Sequence, residues 1–171
     1  MFIIISFSLK AQAEKENNYI SKGNGLHENK SYVDAEAEFR KALSHAMDRD
    51  TMGQSVARGP FFHPHAGGFS AGSPFHRFED SIYYGYNVDG ANSILDGLGL
   101  IDSDGNGIRN FPNGVEDIAL DILFSNERST DIKIGDSIVP MFEAVGLKPI
   151  LKPSNDTGAI TDAGNWNLYI N

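Results

Sequence analysis

The stretch IALDILFSNERSTDIKIGDSIVPMFEAVGLKPIL, residues 118–151, decides the fold class of this chain. Apolar residues stand at every second position of residues 118–124, which predicts a strand half-buried on one face. Apolar residues then recur at helical spacing over residues 127–145, and Gly146 is predicted to end that helix. Residues 147–151 predict a second strand. Strand, helix and strand in this order indicate a right-handed βαβ crossover with parallel strands, and therefore an α/β fold.

Further elements are predicted on both sides of this unit. A last strand is expected at Trp166–Ile170, beyond a polar stretch. Upstream, a helix is expected to begin at Ser31, with Asp34 as its capping partner, because an apolar stripe at i, i+3 and i+4 spacing follows. The stripe consists of Ala35, Phe39, Ala42, Leu43, Ala46 and Met47. Asp48 is expected to cap a short second helix reaching Val56, and a third helix is expected to stop around residues 97–99.

Composition excludes several classes of protein. The chain has 171 residues with a formal net charge of −9, which argues against a nucleic-acid binder because such a protein needs a basic face. It has no cysteine, so disulfide frameworks and thiolate metal sites are excluded, and no apolar run is long enough to span a bilayer. Residues 79–136 hold 12 of the 23 acidic residues and 3 of the 14 basic ones, which indicates either a solvated acidic surface or cation binding.

The N-terminus allows two interpretations. Residues 2–9 form a short apolar run, and Ala11-Gln12-Ala13 follows with a small-x-small pattern. This pattern is similar to the end of a secretory signal cleaved after Ala13, although no basic residue precedes the run. A buried β-strand would have the same composition over eight residues. We expect the signal-like segment.

The sharpest local motif is the turn DSDGNG at residues 102–107. Oxygen-bearing side chains at alternate positions, here Asp102, Asp104 and Asn106, followed by a glycine are typical of a loop that wraps Ca²⁺. A complete EF-hand would need a glutamate where Asn113 stands, so an EF-hand is not expected. The alternative is a tight Asp/Gly/Asn turn that joins a helix to a strand without a metal.

An ordered loop is predicted over residues 59–78, which are rich in glycine, proline and aromatic residues. His63 and His65 are too few ligands for a zinc site, and packing within the loop is the expected role. No nucleophile, acid/base pair or phosphate-loop motif is present, so we do not expect an enzyme.

Several motifs in order resemble the extracellular solute-binding proteins of the peptide/nickel ABC-transporter family. The residues that carry the resemblance are FRKALSHAMDR (39–49), GSPF (72–75), YNVDGANSILDGLGL (86–100), DSDGNGIR (102–109) and FEAVGLK (142–148). They are similar to that family's "R-A-L-x-x-A-I-D-R" helix, "P-P-G-S-P" loop, "Y-D-P-x-K-A-x-x-L-L-x-E-A-G" helix and "D-x-D-G-D-G-x-R" turn. The resemblance covers about residues 39–171 and part of one lobe.

This resemblance implies a partial lobe of a periplasmic-binding-protein-like α/β fold over residues 39–171, preceded by the signal-like segment 1–13 and a polar, helical leader 14–38. It implies a non-enzymatic, periplasmic or extracytoplasmic component that closes two lobes on a peptide and delivers it to an ABC permease in the membrane. Phe61, Phe62 and Phe69 are the candidates for lining the cleft. No cofactor is implied, apart from the Ca²⁺ that the acidic turn allows.

Two alternatives remain open. Residues 17–50 also resemble a single tetratricopeptide repeat, with Gly23, Ala35, Phe39 and Ala42 at its small-residue and aromatic positions. One repeat cannot bury its apolar face without neighbours, so this alternative is a secreted protein-interaction module built on residues 17–57. The other alternative is a Ca²⁺-stabilised structural domain that uses the turn at residues 102–107.

Overall fold

Within residues 3–5, 27–56, 84–112, 114–157 and 167–170, which are those that the computed structural model describes, the chain forms four strands and four helices. The strands are β1 (Ile3–Ile5), β2 (Ala119–Ser125), β3 (Lys148–Ser154) and β4 (Leu168–Ile170). The helices are α1 (His27–Ala46), α2 (Arg49–Val56), α3 (Val88–Gly97) and α4 (Ser129–Glu143).

The strands form one mixed sheet in the order β1-β4-β2-β3. β2 pairs in parallel with both β3 and β4, in a register that places Ile122 beside Leu151 on one side and Leu168 on the other. β1 pairs antiparallel with the outer edge of β4. The parallel β2-α4-β3 unit confirms the predicted crossover and the α/β class.

Helix α4 covers one face of this sheet. Its inward residues Ile134, Ile138 and Phe142 are fully buried. Gly135 brings the helix close to the sheet, because a β-carbon there would lie 3.5 Å from side-chain atoms of Phe124 and Leu151. At the end of α4, Gly146 has φ +74°, a left-handed conformation that only glycine adopts without strain, as its predicted role requires.

The apolar stripe of α1 packs against α3. Phe39, Leu43 and Ala46 are buried, as are Ala91 and Leu95 on α3, and these residues join the same core as the sheet. The two shorter helices, α2 and α3, begin after residue types that commonly cap the N-terminus of a helix, Asp48 and Asn87. Asp48 Oδ1 accepts the backbone N–H of Thr51 at 3.1 Å, which confirms its predicted capping role at α2.

Two details of the sequence-based prediction are wrong. α1 begins at His27, four residues before Ser31, because residues 27–30 contain neither glycine nor proline and extend the helix toward Gly25. β2 is half-buried only in its first half; Leu123, Phe124 and Ser125 are all buried, as is usual for a central strand of a parallel sheet. The predicted last strand is shorter within the described residues, at Leu168–Ile170.

At the N-terminus, Ile3–Ile5 forms the strand that the alternative interpretation allowed, beside β4. Cleavage after Ala13 stays a prediction. α1 runs without a break across the expected boundary between residues 38 and 39. Within the described part of the chain, the helices are too short or too polar to cross a membrane.

Candidate functional site

The acidic turn over residues 102–107 lies between α3 and β2, and its hydrogen bonds converge on Asp102. Oδ1 of Asp102 accepts the backbone N–H of Gly105 at 2.7 Å and that of Asn106 at 3.2 Å. Oδ2 accepts the backbone N–H of Gly107 at 2.9 Å. Gly105 and Gly107 have φ values of +77° and +88°, which glycine adopts without strain. The alternation of Asp or Asn with Gly therefore builds a turn that supports itself.

These contacts change the acidity of Asp102. The backbone N–H of Gly107, the strongest influence, holds the pKa of the Asp102 carboxyl below its ordinary value of 3.8, while partial desolvation acts in the opposite direction. The N–H groups of Gly105 and Asn106 act in the same direction as that of Gly107. The ionised carboxylate is consequently the form that organises the turn.

Asn106 ties the turn to the beginning of the sheet. Its Nδ2 donates to Oδ2 of Asp104 at 3.1 Å and to Oδ1 of Asp117 at 2.9 Å. Lys148, the first residue of β3, approaches Asp117 Oδ2 at 3.3 Å. The hydrogen bond from Asn106 lowers the pKa of Asp117. The hydrogen bond and the positive charge of Lys148 lower it further. The turn therefore lies at the amino-terminal edge of the parallel strands.

The sequence offered Asp102, Asp104 and Asn106 as candidate Ca²⁺ ligands, with a tight turn that holds no metal as the alternative. Among the residues that the structure describes, no three His, Asp or Glu side chains come together in a group that could hold a metal ion. The oxygens of Asp102 instead accept three backbone N–H groups. Calcium binding stays a prediction, which a comparison of melting temperatures in Ca²⁺ and in EDTA checks.

Arg109 lies beside this turn and forms hydrogen bonds with α3, with the residues that follow α3, and with the residues that follow α4. Its side chain is 12% exposed. The guanidinium donates to Asn92 Oδ1 at 2.9 Å, to Asp96 Oδ1 at 2.6 Å, to the carbonyl of Leu100, and through Nε to the carbonyl of Val145 at 2.8 Å. Its side chain forms one wall of an open cleft of about 250 Å³. Because its donors are committed to the protein, Arg109 is a structural residue.

The opposite, carboxyl-terminal edge of the sheet carries a second polar group. Ser125 and Ser154 end β2 and β3 in register, and the N–H of Asn126 donates to the carbonyl of Ser154 at 3.2 Å. α4 begins four residues after Ser125, so its N-terminus lies at this edge. There the side chain of Asp131 is 5% exposed, and its Oδ2 lies 3.2 Å from Nε of Arg128. In open α/β sheets, ligands bind outside the carboxyl ends of the strands.

The aromatic candidates Phe61, Phe62 and Phe69 lie outside the described residues. The structure therefore places the three turn residues together and leaves the aromatic cleft as a prediction.

Sequence reasoning missed the burial of Asp131 and its ion pair with Arg128. An aspartate in the first turn of a helix is common, because its negative charge interacts favourably with the helix dipole. The sequence does not show that the carboxylate of Asp131 is buried. The available signal was an arginine where Ser, Thr, Asp or Asn is preferred as an N-cap.

Comparisons with known proteins give the chain a family. Over 132 residues it is 36% identical to a periplasmic alpha-galactoside-binding protein of Rhizobium meliloti, a match that covers 75% of this chain and 19% of the relative. The structure of the periplasmic binding protein MelB of Agrobacterium fabrum in complex with stachyose is similar with a TM-score of 0.67 and 30% identity, over 77% of this chain and 21% of that one. The chain thus spans about a fifth of the length of these relatives.

A more distant structure shares the fold. NikA of Brucella suis, solved in complex with Fe(III)-EDTA, is 20% identical with a TM-score of 0.65, over 78% of this chain and 26% of NikA. The family model of bacterial extracellular solute-binding proteins, family 5 Middle, matches residues 9–171 and so begins well before the expected boundary at residue 39. With nearly all of its residues matched and the expected fold observed, the chain belongs to the bacterial extracellular solute-binding proteins of family 5.

Proposed function

We propose that this chain is part of a solute-binding protein that captures an oligosaccharide of the α-galactoside class outside the cytoplasm and delivers it to an ABC permease. One observation carries the choice of ligand. The relatives at 36% and 30% identity are, respectively, an alpha-galactoside-binding protein and a protein solved with stachyose. Function follows the site more than the fold, so the ligand requires its own test.

The peptide ligand expected from the sequence remains the competing proposal. Peptide-binding structures are among the similar ones, such as the oligopeptide-binding protein AppA of Bacillus subtilis with a nonapeptide, at 16% identity. Identity at that level supports the shared fold alone. The α-galactoside is therefore the better supported ligand.

The mechanism we propose is binding without a catalytic step. The lobe that contains this chain contributes the carboxyl-terminal edge of its parallel sheet to the cleft, and a second lobe closes over the ligand. Closure replaces water around sugar hydroxyls with protein hydrogen bonds, and the closed form is the one presented to the permease.

Isothermal titration calorimetry and thermal unfolding of the full 171-residue chain test this proposal. Because this chain is proposed to supply only one side of the cleft, stachyose is expected to bind it more weakly than it binds a complete two-lobed protein. At high concentration stachyose is expected to raise the melting temperature, because a ligand selective for the folded state stabilises it. Sucrose, which lacks the α-galactosyl units, is the matched control, and a pool of short peptides tests the competing ligand. Stabilisation by peptides but not by stachyose would contradict the α-galactoside proposal.

A segment exchange tests the same proposal in a complete two-lobed protein. The matching segment of the A. fabrum stachyose-binding protein is replaced by this chain, and stachyose binding is measured. Retained binding is expected because the two segments share their fold and 30% of their residues. A folded chimera that binds peptides and no longer binds stachyose would contradict the proposal.

A further inference from the structure

We propose that the hydroxyl groups of Ser125 and Ser154 donate hydrogen bonds to two oxygen atoms of one sugar unit of the ligand. The two serines end the adjacent parallel strands β2 and β3, at the carboxyl-terminal edge of the sheet. This inference rests on the proposed function and deepens it, because it names the side chains that contact the α-galactoside and the part of the ligand that they bind.

The two serines lie side by side on one face of the sheet. Ser125 and Ser154 are partners in the register of β2 and β3. Phe124 and Leu151 face α4, since both lie close to Gly135, and successive side chains of a strand point to opposite faces. The serine side chains therefore lie on the face away from α4. The Cα atoms of the pair are about 5 Å apart, which is the spacing of neighbouring strands.

The two hydroxyl oxygens are held in the same way. Ser125 Oγ accepts the backbone N–H of Glu127 at 3.3 Å, and Ser154 Oγ accepts the backbone N–H of Asp156 at 3.1 Å. In both cases the donor lies two residues after the serine. The N–H of Asn126 donates to the carbonyl of Ser154 at 3.2 Å and joins the two strand ends. Both oxygens are thus positioned before a ligand binds.

Each serine keeps its hydroxyl hydrogen for a further partner. A hydroxyl donates one hydrogen bond and accepts up to two. Within the part of the chain that the structure describes, both hydroxyls accept a hydrogen bond and neither donates one. Ser125 is 8% exposed, and a buried donor without an acceptor costs stability. Ser154 beside it is more exposed, so the pair is open to solvent on that side.

The chemistry of the pair favours a neutral ligand rich in hydroxyls. Serine hydroxyls carry no charge, so a charged ligand gains no ion pair from them. A sugar hydroxyl accepts a hydrogen bond from a serine and still donates its own hydrogen to another acceptor. Two donors on neighbouring strands, about 5 Å apart, suit oxygen atoms within one sugar ring. The pair also lies at the edge of the sheet where ligands bind in open α/β folds.

Two-dimensional amide NMR spectra of the full 171-residue chain, recorded with increasing stachyose, test this inference. The N–H groups of Glu127 and Asp156 are the reporters, because each donates to one of the two serine oxygens. Stachyose is expected to shift both signals, while the N–H signals of Gly105 and Gly107 in the acidic turn stay in place. Shifts at other residues but not at the two reporters would overturn the inference and leave the α-galactoside function standing.

Substitution of the serines gives the second measurement. Ser125→Ala and Ser154→Ala are each expected to weaken stachyose binding about 3- to 10-fold, the effect of losing one neutral hydrogen bond. Ser125→Thr keeps the hydroxyl on a residue that suits a strand, and is expected to bind stachyose as the wild type does. Thermal unfolding identifies any variant that does not fold, and the amide shifts of the wild type decide the question in that case.

Ser93→Ala is the matched control, because Ser93 is exposed on α3 and its hydroxyl donates to the carbonyl of Asp89. It is expected to leave binding unchanged. Unchanged binding by both folded alanine variants at the sheet edge, or equal losses in Ser125→Ala and Ser125→Thr, would overturn the inference. A wild-type chain in which stachyose shifts no amide signal would overturn both proposals.

Discussion

Asp102 shows how one carboxylate organises a turn. Its oxygens accept N–H groups from Gly105, Asn106 and Gly107, and these donors lower its pKa from 3.8. A carboxyl whose pKa is lower in the folded state stabilises the fold above its unfolded-state pKa, and this contribution is lost as the pH falls through the folded-state pKa. The acidic turn is therefore most stable above about pH 4.

Asp102→Asn is expected to lower the melting temperature by a few degrees at pH 7, because an amide has one acceptor oxygen in place of two. The difference from the wild type should shrink as the pH falls below about 4, where the wild-type carboxyl becomes protonated and loses the same advantage. Thermal unfolding in EDTA across this range measures the difference without a contribution from cations. Asp136→Asn, an exposed site on α4, is the control; a constant difference at Asp102 across the pH range would contradict the prediction.

The helices and strands were largely predictable because their signals are local. The alternation of apolar and polar residues predicted β2. The apolar residues at i, i+3 and i+4 spacing around Phe39 and Leu43 predicted α1. The start of α1 was missed because Ser31 and Asp34 imitate a cap. The hydrogen bonds of Arg109 were not predictable, since they join α3, the turn and the end of α4, which are far apart in sequence. The same holds for the burial of Asp131, which depends on how α4 packs on the sheet.

The end of α4 gives the prediction at the scale of an element. Gly146 has φ +74°, and a β-carbon there would lie 3.1 Å from Cγ of Arg109. Gly146→Ala is expected to lower the free energy of unfolding by about 1–3 kcal/mol, because alanine is strained at positive φ and pushes against a side chain held by its hydrogen bonds. Urea unfolding measures this loss.

Gly97→Ala is the matched control for Gly146→Ala, since Gly97 is helical and has no atom within 4 Å of a β-carbon. It is expected to be neutral or slightly stabilising. Equal stability of the two alanine variants would show that the left-handed end of α4 does not stabilise the fold.

At the scale of the whole molecule, the two polar groups lie at opposite ends of the parallel strands. The acidic turn and Lys148 lie at the amino-terminal edge, and Ser125, Arg128 and Asp131 lie at the carboxyl-terminal edge. One seven-residue strand, roughly 20 Å, separates these edges. The strongest sequence motif therefore lies at the amino-terminal edge, away from the carboxyl-terminal edge at which ligands bind in open α/β sheets.

The N-terminal strand gives the last prediction. β1 supplies the second neighbour of β4, whose Leu168 and Ile170 are fully buried. Deleting residues 1–13 is expected to lower stability by about 2 kcal/mol, because two or so backbone hydrogen bonds are lost, and the melting temperature by roughly 4–8 °C. Equal melting of the shortened and full chains would show that β1 contributes nothing to the fold, and would favour a cleaved signal at Ala13.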